Sequence, residues 1–323
     1  MIKTTDMRKQ QAKNRGLTLI ELLVTIAIMG IVIAIAVPVI RPPVDARSVK
    51  EAARMVSTAL ASARTKSIET GQSWGVEFTP FPNDSRQVGT LHFVRVTSPY
   101  EGTDGVIAED PPDSGSYKFV GLDDSAKISV PSNVLQRGGW LRFGYQGKKY
   151  LVEAQTPYPV PLDPAPATGA PTDAAGNPLG VEFQFYPAPR KSSLMPIQLP
   201  SRAVVDMGLS GWGDGDDCFT PHELTPIKIT FTPTGEVDQV YHSAFTDGVS
   251  VIERLHFFIG KTGRTGTTPD GEPPDPEDNH LVDGEAIWVS VDPRTGAIKS
   301  AENNPANSGD ESGLEDARKW ANE

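Results

Sequence analysis

From Leu17 to Val37 the chain is apolar except at Thr18, Glu21, Thr25 and Gly30, and Glu21 is the only formal charge in the run. At 1.5 Å per residue this stretch reaches about 30 Å, the thickness of a bilayer's hydrocarbon core, and predicts a membrane helix over 17–40. Beyond it, Pro38 and the pair Pro42-Pro43 predict an interruption, because each ring removes a helical hydrogen bond and crowds the preceding turn. The pattern then changes. In "DARSVKEAARMVSTALASARTKSIETGQ" the apolar positions Val49, Ala52, Ala53, Val56, Ala59, Leu60 and Ala63 recur with helical period. An amphipathic helix capped by Asp45 and ended by Gly71 follows, and its small apolar side chains suit packing on the chain's own sheet.

From residue 72 the period shortens to two. Expected strands are Trp74–Thr79, Leu91–Thr97, Tyr117–Val120, Lys127–Val130, Trp140–Tyr145, Tyr150–Gln155, Val181–Tyr186, Ile227–Thr232, Val251–Ile259 and Ala286–Val291. "GWLRFGYQGKKYLVEAQ" reads as a hairpin about Gln146-Gly147. "ITFTPTGEV" and "VSVDPRTGAI" echo one another as strand, Pro-containing turn with Thr-Gly, strand. The Pro/Gly/Asp-rich stretches "PYEGTDGVIAEDPPDSGS", "TPYPVPLDPAPATGAPTDAAGNP" and "TGRTGTTPDGEPPDPEDN" read as exposed loops, where a partner-binding surface could sit. A polar tail over 301–323 contains a short helix at "SGLEDARKWANE". The predicted fold class is α+β: a long N-terminal helix, an amphipathic helix, and a β-rich, mainly antiparallel head over 72–300.

Charge sharpens the topology. The net charge is −11, but Lys3, Arg8, Lys9, Lys13 and Arg15 against Asp6 make the first sixteen residues basic, leaving −15 on the remainder. Basic residues before an apolar span place the N-terminus in the cytoplasm and the head outside. So acidic a body argues against general nucleic-acid binding. A lone cysteine, Cys218, rules out an intramolecular disulfide.

Three readings of the apolar run compete. A secretory signal peptide could be cut after Ala34-Ile35-Ala36, and a plain single-pass anchor needs no cut, but neither gives Glu21 a role. The third rests on "GLTLIELLV", Gly16 to Val24, which resembles the start of type IV prepilins and type II secretion pseudopilins: a basic leader ending in glycine, then an apolar helix with glutamate at its fifth residue. The resemblance implies cleavage between Gly16 and Leu17 by a prepilin peptidase and methylation of the new N-terminus at Leu17, where the family usually has Phe. Glu21, one turn on, would then face the ammonium of its own chain or of a neighbouring subunit. The resemblance also gives Pro38 a role as helix kink. The segment "EAARMVSTALASARTKSIETGQSWGVEF" is similar to the helix-to-strand region of H-type minor pseudopilins. Implied partners are the peptidase, other pilin or pseudopilin subunits, an inner-membrane assembly platform and the lipid bilayer.

No enzyme signature emerges. His92, His222, His242, His256 and His280 lack zinc spacing, and "IGKTG" fails the phosphate-loop pattern because Leu255 stands where its first glycine belongs. "GDGDD" could offer Asp214, Asp216 and Asp217 to calcium, although an EF-hand is excluded by Phe219 and Thr225; a plain acidic turn is the alternative, and no other cofactor is expected. The resemblance implies a structural minor subunit of a pilus or pseudopilus serving protein secretion, held by its apolar helix in the inner membrane before assembly. The alternative is a membrane-anchored binding module or adhesin displayed by a pilin-type leader.

Overall fold

The computed structural model describes residues 19–109, 117–120, 138–143, 149–152, 160–162, 180–213, 218–219, 226–242, 245–264, 280–305 and 312–322. The chain divides into two units, Met1–Asp45 and Ala46–Glu323.

Helix α1 runs from Leu19 to Thr70. The break expected at Pro42-Pro43 is absent from the element, and Asp45 lies inside a helix instead of capping a new one. Prolines withdraw only their own donors, and the turns on either side carry the remaining ladder. The end is as the sequence suggested: Gly71, at φ +66°, donates its N–H to the Ser67 carbonyl at 3.0 Å.

In the second unit, Val49, Ala52, Ala53, Val56, Ala59, Leu60 and Ala63 are all buried and form the floor of the main core. Each buried valine or leucine contributes about 1.5–3 kcal/mol, and the alanines let backbone and sheet approach. The strands are β1 (Trp74–Phe81), β2 (Asp84–Arg95), β3 (Tyr100–Glu109), β4 (Tyr117–Val120), β5 (Gly139–Phe143), β6 (Lys149–Val152), β7 (Val160–Leu162), β8 (Val181–Pro187), β9 (Arg190–Lys191), β10 (Ile197–Gln198), β11 (Ala203–Trp212), β12 (Ile227–Phe231), β13 (Val237–His242), β14 (Phe245–Val249), β15 (Leu255–Lys261), β16 (Ile287–Val291) and β17 (Ile298–Glu302). Every described pairing is antiparallel. The larger sheet has the order β14-β13-β12-β1-β2-β11-β15-β16-β17, with β9 and β10 also on β2, and the smaller has the order β6-β5-β8-β3-β4-β7. The fold is thus α+β, a long N-terminal helix followed by a β-rich head.

The larger sheet is strongly curled. Phe78 on β1 and Phe257 on β15 are three strand spacings apart, about 14 Å on a flat sheet. Their rings nevertheless stack with centroids 4.7 Å apart. The curl continues until the two echoing hairpin turns meet: Val237 N–H donates to the Pro293 carbonyl at 2.8 Å, and Arg64 of α1 donates to the Gly235 carbonyl at 3.0 Å. Further back along the same helix, Ser57 reaches Ser300 of β17, and Lys50 pairs with Glu302. Helix α1 therefore seals the open side of the curl.

Several expectations need correcting. The first presumed loop contains β3, and the second contains β7. Strand β11 is central and buried from Ala203 to Gly211, although no strand was expected there. The tail is structural: β17 extends to Glu302, and helix α2 (Ser312–Trp320) buries Ala317 and Arg318, with Ala321 just beyond it, against Leu209, Phe258 and Trp288. Asn303 anchors that side, accepting from Trp288 Nε1 and donating to the carbonyls of Leu281 and Asp283. The expected strand Lys127–Val130, the turn Gln146-Gly147 and most of the third presumed loop lie outside the described residues.

Candidate functional site

The first unit presents the expected carboxylate. Glu21 lies on an exposed part of α1, ringed by Leu19, Ile20, Leu22, Leu23 and Val24, all exposed, with Leu19 at 82%. Ile26, Ile28, Met29, Ile31, Val32 and Ile33 continue the exposed apolar surface. Thr25 Oγ1 donates to the Glu21 carbonyl at 2.5 Å, turning a polar side chain inward on its own helix. A helix apolar all round calls for an apolar environment. Among the described residues no helix is long and apolar enough to cross a membrane. The described side chains of this run stop at Ile33, and the sequence remains apolar to Ile40. Pro38 lies within α1. Gly16 and Leu17 lie outside the described residues, as do Asp214, Asp216, Asp217 and His222.

In the head, the polar groups that sequence spacing could not connect form three buried clusters. The first joins β11, β15 and the 3-10 turn His280–Val282. His280 Nδ1 meets Asp206 Oδ2 at 2.7 Å, and Nε2 meets the Lys261 carbonyl at 2.7 Å. Asp206 Oδ1 accepts from Gly208 N–H, and Lys261 Nζ reaches Asp283 at 3.0 Å and Glu285 at 2.5 Å. Burial works to lower the Lys261 pKa, but these two carboxylates outweigh it and hold the ammonium above its ordinary range. An imidazole beside a carboxylate resembles half of a catalytic triad. Here both ring nitrogens are held by fixed oxygens and the ring is fully covered, so no substrate can reach them. The pair is a bolt between three elements.

The second cluster surrounds His256. Its Nδ1 meets Ser290 Oγ at 2.9 Å, and its ring stands edge-on to Trp288. Burial, and then the charges of Arg318 and Arg254, push its pKa down to about 3, so the ring is neutral at physiological pH. Arg318 itself is fully buried, donating to the carbonyls of Leu209 and Trp212 and to Cys218 Sγ.

The third lies on β1. Glu77 sits directly opposite Lys228 on β12 and His92 on β2. The carboxylate is buried, with Lys191 Nζ at 2.9 Å, Lys228 Nζ at 3.9 Å and a hydrogen bond from Thr79 Oγ1. Burial lowers Lys228, with Glu77 opposing it, and burial aided by Lys191 lowers His92. Two ammonium groups, Lys228 from the neighbouring strand β12 and Lys191 from β9 beyond β2, make this an ion-paired seam in the sheet. No group of metal-ligating side chains occurs among the described residues.

Spacing along the chain shows only that these histidines lack a zinc pattern, and their partners lie far off in sequence. Only the position of Asp206 between Val205 and Met207 hinted at a carboxylate held inside a strand.

Residues 11–37 match the family described as the prokaryotic N-terminal methylation motif. No curated protein and no solved structure matches the chain significantly. The match supports a type IV pilin-like family, a peptidase-processed leader and a membrane-anchored structural subunit. It spans the apolar run around Glu21 and the few residues before it, the part of the chain where an exposed apolar surface and a single carboxylate coincide.

Proposed function

We propose that the chain is a minor subunit of a pilus-like or pseudopilus filament, cut after Gly16, methylated at Leu17 and assembled through its apolar helix. The motif over 11–37 carries this reading, and the exposed carboxylate of Glu21 within an otherwise apolar surface supports it. Cleavage creates an ammonium at Leu17, one turn before Glu21, so the charge that is costly in hydrocarbon gains an opposite charge in its own or a neighbouring chain. Before assembly the helix resides in the inner membrane, with the leader in the cytoplasm and the head outside. The partners are the prepilin peptidase, other pilin or pseudopilin subunits and an inner-membrane assembly platform.

A large head argues for a minor subunit, and likeness of the helix-to-strand segment to H-type pseudopilins favours a role in protein secretion. N-terminal mass spectrometry of the membrane-extracted protein tests the processing. A methylated Leu17 terminus is expected; a terminus at Val37 would replace this reading with ordinary secretion.

A further inference from the structure

Three neighbouring strands carry one row of side chains. Trp74 on β1 stands opposite Arg95 on β2, and Arg95 stands opposite Arg190 on β9. Directly opposed residues on antiparallel strands share a face and place their Cβ atoms about 4.5–5.5 Å apart. Two guanidinium groups so placed repel one another. Helix α1 adds a third cation on the same face, with Lys66 Nζ 5.5 Å from the centroid of the Trp74 ring. All three cations are half-buried. Among the described residues the side chains of Arg95 and Arg190 form no ion pair or hydrogen bond. This is unexpected in a chain with 41 acidic and 30 basic residues, whose Lys50, Arg54, Arg86, Arg254 and Lys261 each meet a carboxylate. Beside them the buried indole N–H of Trp74 has no acceptor among the described residues.

We infer that Arg95, Arg190, Lys66 and Trp74 form a docking site for a short acidic segment of a partner protein. Two adjacent guanidinium forks match two neighbouring carboxylates, each accepting paired N–H donors. The acidity of the surrounding head sets the size of the occupant. The three cations stand together on one face, and at physiological salt, where the Debye length is about 8 Å, they act only over a short range. A long polyanion or an anionic bilayer would extend well past them onto a surface of its own sign. A few carboxylates on a polypeptide fit the patch without that repulsion. An opposed like-charge pair costs stability in the free chain, and an acidic partner turns that cost into affinity.

The experiment titrates fluorescein-labelled hexaglutamate into the full chain in non-ionic detergent at low ionic strength. Saturable binding is expected, and it should weaken at least about tenfold as salt shortens the screening length to a few ångströms. Arg190→Glu should abolish the binding while raising the melting temperature, because it converts a repelling pair into an attracting one. The higher melting temperature shows that the loss is not unfolding. Lys299→Glu, the same charge change on exposed β17, should leave binding unchanged. Failure of hexaglutamate to bind, undiminished binding by Arg190→Glu, or equal loss with Lys299→Glu overturns the inference. So does displacement of the peptide by equimolar inorganic phosphate or by vesicles containing anionic lipid, which would identify a general oxyanion site or a membrane-facing surface.

Discussion

The carbonyl oxygen of Gly235 lies so close to Gly296 that a Cβ built on Gly296 would stand 1.9 Å from it. The two residues occupy corresponding places in the echoing turns, at φ +92° and +63°. Arg64 fills the remaining space, its Nε donating to that same carbonyl. Gly296→Ala combines a left-handed backbone with a collision against main chain that cannot rotate away. It should cost about 3 kcal/mol in denaturant unfolding. Arg64→Ala, which removes one hydrogen bond, should cost about 1 kcal/mol.

Removing the imidazole of His280 takes the ring partner from the Asp206 carboxylate at a site excluded from water and leaves a cavity beneath Gly260, which packs against the ring. His280→Ala is expected to lose at least about 2 kcal/mol of stability, the cost of a buried hydrogen-bonding group left without its partner together with that of the cavity. A loss below about 1 kcal/mol in chemical denaturation would show that the bolt contributes little.

Acid should act on the head through His256. Its folded pKa of about 3 lies below that of an exposed histidine, so between those values the unfolded chain binds a proton that the folded chain does not. The stability contribution is complete above pH of about 6.5 and falls by about 1.4 kcal/mol per unit as pH drops towards 3. In His256→Gln the stability profile between pH 4 and 6 should be flatter by that slope.

For the N-terminal helix, Glu21→Ala should leave membrane insertion and cleavage after Gly16 intact, since neither requires the carboxylate. Incorporation into filaments should fall about tenfold or more, corresponding to the loss of more than about 1.4 kcal/mol of charge pairing in a low-dielectric setting. Co-purification of the variant with filament subunits at the parental level would count against the pairing.

The helical stripe from Val49 to Ala63 was legible because seven buried positions repeat at the helical period within one element. The two Thr-Gly turns were legible because their chemistry is local; that they touch is a consequence of sheet curvature, which leaves no mark on either turn. Strand β11 was hidden for a different reason. "AVVDMGLSGW" opens on three apolar residues in a row, and Asp206, Gly208 and Gly211 are residue types depleted in strands. A strand buried on both faces needs no alternation, and Asp206 is satisfied by a histidine 74 residues away. Similarly, Gly102, Asp104 and Gly105 disguised β3. The opposition of Arg95 and Arg190 depends on register between β2 and a two-residue strand, which no local pattern encodes.

The meeting of the two turns also fixes an order of events at the ribosome. Helix α1 and the first strands emerge early, but the curl has no second end until β16 and β17 have been made. A chain stopped before Gly296 would hold the helix against an open edge, with Phe78 and Phe231 short of their full enclosure. Nascent chains of increasing length should therefore gain protease resistance in one late step, after Ile298, and not gradually as strands are added.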